Sequence, residues 1–258
     1  MSRQRSIKQT AEVSGRGLFA GQPCTLRFGP APVNAGITFV RTDLDPSVRI
    51  PAHVAKAARR QRRTSLVNGE ATVETVEHVL AAVWGLGVDN VLIELDAPET
   101  PSPDGSPLPF AEALHEAGIV EQDAERKGRA ISEAVSVQDD EATLAALPGA
   151  PGEHLDILYD LDYAEVPSIG RQMFAFRLGR DDFLETLAAA RTFSLAAEAR
   201  QMQARGIGAH LSCAEALVIG PKGPIDNALR MPDEPVRHKV CDLIGDLALL
   251  GVRLSGRV

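Results

Sequence analysis

The sequence predicts an α+β fold made of two similar-sized units, 1–126 and 127–258. Strand-like and helix-like stretches are mixed within both halves, which favours α+β over a regular βαβ alternation. At 258 residues and 44% hydrophobic, the chain can also bury one or two full cores.

The elements follow in chain order. Residues 36–40, Gly-Ile-Thr-Phe-Val, form a strand-like run. The stretch 75–85 reads as a helix with Val76, Val79, Leu80 and Val83 on its apolar stripe and Thr75 as its cap, which puts Glu77 and His78 in the first turn and off that stripe. Val91–Leu95 returns to strand character, 107–117 is helical, and the charged, glycine-containing stretch 121–129 is the expected link between halves. In the second half, 155–161 and 215–219 read as strands, and 181–190 and 194–205 as helices.

The last helix has the clearest pattern. Val236, Val240, Leu243, Ile244, Leu247 and Leu250 share one stripe, opened by Asp233, Glu234 and Pro235 and stopped by Gly251. His238, Asp242 and Asp246 stand four apart at roughly 200° to 280° from that stripe, so an imidazole and two carboxylates share a face turned away from the core. Chance alone supplies about 0.8 pairs of a histidine with an acid four residues later in this composition, so a solvated charged face remains an alternative. Together with Glu77-His78, however, the segment offers two histidines and a carboxylate with a glutamate beside them. That is a catalytic zinc set with a position left for water. Its donors would converge from two helices, unlike the single-helix His-Glu-x-x-His pattern.

Further segments join these two. Gly15-Arg-Gly-Leu18, 31–36, Phe39-Val-Arg-Thr-Asp43, Thr64-Ser-Leu66, Gly85-Leu-Gly-Val-Asp-Asn90, Pro103-Asp-Gly-Ser106, Ala190-Arg-Thr-Phe193, Arg205-Gly206 and 233–239 occur in one order along almost the whole chain. In this the sequence resembles the zinc-dependent UDP-3-O-acyl-N-acetylglucosamine deacetylases of bacterial lipid A synthesis. The resemblance implies zinc held by His78, His238 and Asp242, with Glu77 as general base toward a water whose pKa zinc lowers to about 7. It implies that Thr192 stabilises the tetrahedral oxyanion, that Phe193 packs on substrate and that Lys239 contacts the sugar-nucleotide, with core packing as the alternative for Phe193. It also implies two domains packed as a sandwich with helices between the sheets. The implied partner is a UDP-linked acylated N-acetylglucosamine, its acyl tail passing the hydrophobic segment 166–178.

Three departures accompany the resemblance. Phe19 stands where the family usually shows a histidine, and Gly208-Ala-His-Leu-Ser-Cys213 replaces a more glycine-rich run. In the family Asp246 orients a histidine about twenty residues onward that protonates the leaving amine, and the sequence ends at Val258 before that position. A chain cut short, a Glu77 that serves as both base and acid, and a member that binds zinc and the glycolipid precursor without turnover are the alternatives. A deacetylase of a related N-acetyl sugar is a further one. His53, His115, His154 and His210 read as surface or structural histidines.

Composition adds exclusions. A net charge of −8 opposes non-specific nucleic-acid binding. The one basic cluster, 59–63, reads as a solvated loop or helix face, with contact to a pyrophosphate or an anionic membrane surface as the alternative. The beginning lacks the apolar core of a signal peptide, no stretch reaches eighteen apolar residues, and Cys24, Cys213 and Cys241 lack metal-pair spacing. A cytoplasmic monomer in a reducing compartment is expected, with Cys241 as core filler rather than a fourth ligand.

Overall fold

A computed structural model describes residues 2–139, 142–150, 152, 154–212 and 216–258; Cys213, Glu215 and the side chain of Arg59 lie outside what it describes. The architecture is α+β. A five-stranded sheet runs in the order Ala11–Arg16, Pro23–Pro30, Val91–Leu95, Ile37–Arg41, Val48–Pro51, antiparallel except for the parallel central pair Ile37–Arg41 and Val91–Leu95. Beside it stand the three-stranded sheet Ala57–Arg60, Arg63–Asn68, Ala71–Glu74 and the ribbon Arg3–Ile7 with Ile119–Glu125. The second half contributes a four-stranded sheet ordered Gly128–Ala130, Arg253–Arg257, Leu155–Tyr163, Gly170–Leu178. A smaller sheet joins Phe193–Leu195, Leu217–Gly220 and Gly223–Pro224. Among the described residues, every ladder pairs strands from the same half.

The helices are α1 (Glu77–Gly85), α2 (Leu108–Glu116), α3 (Phe183–Thr186), α4 (Ala196–Ala204) and α5 (Glu234–Ala248). Residues Glu77 to Trp84 of α1 are all buried, as expected of a helix enclosed on every side. It packs on α5, α2 and α3, and α5 packs on Leu155–Tyr163 and Gly170–Leu178. One apolar core runs from Leu26, Phe28 and Ile93 of the first sheet, through Val79, Val240 and Ile244, to Ile157 and Phe176 of the second. Each such side chain contributes about 1.5–3 kcal/mol when fully buried. The central helices α1 and α5 therefore lie between the two larger sheets, the sandwich that the resemblance implies.

The two central helices pack backbone to backbone at Gly245. A β-carbon there would overlap the main-chain carbonyl of Glu77, so only glycine lets α5 pass against the first turn of α1. Gly245→Ala is expected to cost about 1–3 kcal/mol by forcing the helices apart, and to weaken metal binding with it. Chemical denaturation and metal titration of the variant check both effects.

Several expectations are corrected. Thr75 does not cap α1: the cap position is Val76, with no side-chain cap bond. Thr75 instead takes φ 59°, costly by about 1–3 kcal/mol for a β-branched residue, while its hydroxyl donates to Glu99 and its carbonyl accepts from Thr100 Oγ1. The 121–129 stretch is no loose link. Ile119–Glu125 pairs with Arg3–Ile7 and Gly128–Ala130 with Arg253–Arg257, the strand period being masked by charges on exposed positions. Of 181–190 only Phe183–Thr186 is helical, capped by Asp182, after which the chain leaves the helix with Leu187, Ala188 and Ala190 buried. The basic run is no helix face: it spans the tip of a hairpin whose strands are Ala57–Arg60 and Arg63–Asn68 and whose turn is 61–62, with Arg62 on Glu198 and Arg63 on Glu74. Leu250, placed on the buried stripe, lies beyond α5 and is exposed. Cys241 is core filler as expected, its thiol donating to the Leu187 carbonyl and pushed well above its usual pKa by burial. Cys24 is also buried and free, its pKa raised to about 12 chiefly by burial.

Candidate metal centre

α1 and α5 cross with the first turn of one against the middle of the other, and this brings His78, His238 and Asp242 together. One donor atom from each lies within 4.8 Å of the others. Asp242 Oδ1 is 3.2 Å from His238 Nε2 and 3.7 Å from His78 Nε2. The imidazoles meet edge-to-face with ring centres 4.9 Å apart. The polar face of α5 thus does not turn wholly to solvent as expected. His238 is only 1% exposed, because the second half folds its α5 onto a helix of the first.

The surroundings prepare these groups as ligands. His238 Nδ1 donates to the Ala190 carbonyl at 3.0 Å, which leaves the Nε2 lone pair facing Asp242. Burial, and then the His238 neighbour, lower the His78 pKa to about 3, and burial lowers that of His238, so both imidazoles are neutral. Burial works against ionisation of Asp242, but its basic neighbours His238, Lys239 and His78 hold its carboxyl down to about 2, and with both imidazoles neutral the positive charge among them is that of Lys239. Lys239 Nζ donates to Oδ2 at 2.9 Å, and Asp242 in turn raises the lysine's pKa. Asp242 Oδ1 is buried without any hydrogen-bond partner among the described residues. A buried carboxylate oxygen left unsatisfied between two neutral imidazole nitrogens is costly unless a cation fills the gap, and the N,N,O set suits zinc.

Glu77 lies beside this cluster. It is buried, and its pKa is raised to about 8 by burial and then by the Asp242 and Asp246 charges. Its Oε2 accepts from the Thr64 main-chain N–H at 3.0 Å. Thr64 also donates its hydroxyl to Asp246 Oδ1 at 2.7 Å. Asp246, raised to about 6 mainly by burial, therefore ties α5 to the strand Arg63–Asn68. Thr64 is a positioning residue that residue spacing alone did not assign. Thr64→Val is expected to loosen α5 against that strand by about 0.5–1.5 kcal/mol, with Thr64→Ser restoring it, as read by denaturant midpoints.

The remaining predicted residues sit around this centre. Thr192 is held through its main chain, donating to Gly105 O and accepting from Leu217 N. Phe193 is half-buried, edge-on to Tyr163 at 5.8 Å, with Lys239 Nζ 5.7 Å from its ring centre. Arg191, between the Ala190 carbonyl and Thr192, makes a buried bidentate pair with Glu234, and Glu234 also accepts from the Arg191 and Arg230 main-chain N–H groups. Two of the departures meet in space: the Phe19 carbonyl accepts from Gly208 N, and His210 Nε2 lies 3.0 Å from Gly17 O. The Phe19 ring itself sits under the Arg63 guanidinium, 4.3 Å away.

An α+β frame that sets two neutral imidazoles and a carboxylate at a helix crossing, with a buried glutamate adjacent, belongs to the class of proteins whose side chains could hold a metal ion. Comparison with known proteins narrows it. The profile of the LpxC family, UDP-3-O-acyl N-acetylglycosamine deacetylase, matches residues 4–258, and the chain belongs to that family. A UDP-3-O-acyl-N-acetylglucosamine deacetylase of Geobacter sp. (strain M21) is 37% identical over 256 residues, covering 99% of this chain and 83% of the relative. The protein of that name from Anaeromyxobacter sp. (strain Fw109-5) is 41% identical over 254 residues, covering 98% and 82%. The one from Actinobacillus pleuropneumoniae serotype 3 (strain JL03) is 37% identical over 258 residues, covering 99% and 84%.

Proposed function

We propose that this chain is a zinc-dependent amide hydrolase that removes acetate from UDP-3-O-acyl-N-acetylglucosamine in lipid A biosynthesis. The observation that carries this reading is the unpartnered Asp242 Oδ1 between His78 and His238, with Glu77 beside it, in a chain of this family. His78, His238 and Asp242 would hold the ion, which supplies Lewis-acid polarisation of the acetamide carbonyl and acidity to water. Glu77 takes the proton of the attacking water. A carboxyl raised to about 8 both accepts that proton and can return it to the departing amine.

Thr192 donates to the oxyanion, Phe193 packs on the substrate, and Lys239 screens its charge once the sugar-nucleotide is seated. Val166, Ile169 and Phe174 share an apolar cluster with Phe193, which supports an acyl passage along 166–178. Asp246 assists proton delivery to the amine from beside Glu77, Thr64 being bonded to both carboxylates. The two halves, 1–126 and 127–258, act as domains with the centre where they meet, a common place for a small-molecule site. The protein works as a cytoplasmic monomer; no described helix is long and apolar enough to cross a membrane.

Acetate release from UDP-3-O-acyl-N-acetylglucosamine by the zinc-loaded protein tests the reading. Stoichiometric zinc without acetate release would overturn it in favour of a binder. The contact between Phe19 and Gly208 favours one second reading, a different N-acetyl sugar as substrate. Faster acetate release from a UDP-sugar lacking the acyl chain would select it. His78→Ala, His238→Ala and Asp242→Ala are each expected to lose zinc on dialysis, as metal analysis reads directly.

A further inference from the structure

α1 carries Glu77 and His78 at its N-terminal end, and at its other end, about 12 Å further along the axis, a second site opens. A cavity of about 510 Å³ lies there between the halves, lined among others by Arg5 and Arg126 of the first and Arg129, Arg180 and Arg253 of the second. We propose that this cavity binds a small phosphate ester, at a site separate from the metal centre.

The charge balance points to an anion. Arg5, Arg126 and Arg253 converge on the end of α1, donating to the carbonyls of Leu86, Gly87, Trp84 and Val88. One carboxylate, Asp89, serves both Arg126 and Arg253. The negative end of a helix is worth about half a charge, so three guanidiniums face roughly one and a half negative charges. Arg253 shows the excess: burial first, and then Arg126 and Arg5, bring its pKa down to about 10 despite Asp89. At the rim, the guanidinium groups of Arg129 and Arg180 make no side-chain hydrogen bond or ion pair among the described residues; their main chains are held by the ladder to Leu254 and by the Arg177 carbonyl. The two acids lining the cavity are partly engaged by main chain, Asp181 accepting from Arg177 N and Asp182 from Glu185 N. A positive concavity of this kind in a chain of net charge −8 is a local focus for anions.

Guanidinium forks match phosphate oxygens two at a time, and 510 Å³ suits a metabolite rather than a lipid surface. Capping of a buried helix end accounts for Arg5, Arg126 and Arg253. It leaves Arg129, Arg180 and the open volume without a role.

Calorimetric titration of the zinc-loaded protein with glycerol 3-phosphate, using glycerol as the neutral control, tests the proposal. Binding of one equivalent is expected, weakened roughly tenfold or more in the Arg129→Ala/Arg180→Ala double variant and retained in Lys239→Ala. The double variant should unfold at the wild-type temperature without ligand, which separates lost binding from lost folding. Absence of binding up to about 10 mM overturns the proposal. So does equal affinity in wild type and double variant, or binding that is lost in Lys239→Ala and kept in the double variant.

Discussion

Glu77→Gln is expected to lower acetate release by about 10²–10⁴-fold and to leave zinc stoichiometry unchanged. Glutamine keeps the size of the side chain and can still accept the Thr64 N–H bond, so the first turn of α1 holds its place against α5. It cannot take a proton from water at any pH the protein survives. The residue is also adjacent to His78 without being one of the three clustered donors, so metal binding reports independently on the fold of the centre. Parallel measurement of bound zinc and acetate release therefore separates a base from a ligand. A variant that loses zinc and rate together would remove Glu77 from the role of base.

Glu234→Gln is expected to cost about 3–5 kcal/mol, the largest stability loss outside the apolar core, with the midpoint of denaturation as the measurement. Arg191 and Glu234 are 4% and 0% exposed, and the substitution would leave a guanidinium buried without its counter-charge. The cost reaches the centre through the chain itself. Arg191 follows the residue whose carbonyl fixes the His238 ring, so zinc affinity should fall about 10–100-fold in the same variant. A stability loss with unaltered zinc affinity would show that Ala190 keeps its position without the pair.

The parts of this site written on single helices were legible in the sequence. The apolar stripe of α5 and the four-residue steps from His238 to Asp246 are local periodicities, and periodicity survives without a structure. What the sequence hid are choices settled by partners far away in the chain. Thr75 looks like a cap because threonine before a helix commonly is one, but Glu99 and Thr100 draw it into a left-handed turn. Glu234 reads as a helix-opening acid until Arg191 meets it 43 residues away. Thr64 carries no local signal, since its two acceptors, Glu77 and Asp246, come from different helices. The 121–129 stretch concealed its strands because the exposed positions carry charges, and the partner strand begins the chain.

The crossing at Gly245 also means that neither half owns the candidate metal centre. His78 arrives on a helix from the first half, His238 and Asp242 on one from the second, and the donors come within reach only when those helices touch. Cleaving the chain between 126 and 127 would give two fragments, each short of a complete ligand set. Their zinc uptake on mixing would then track reassociation, making the bound metal a reporter of fragment complementation.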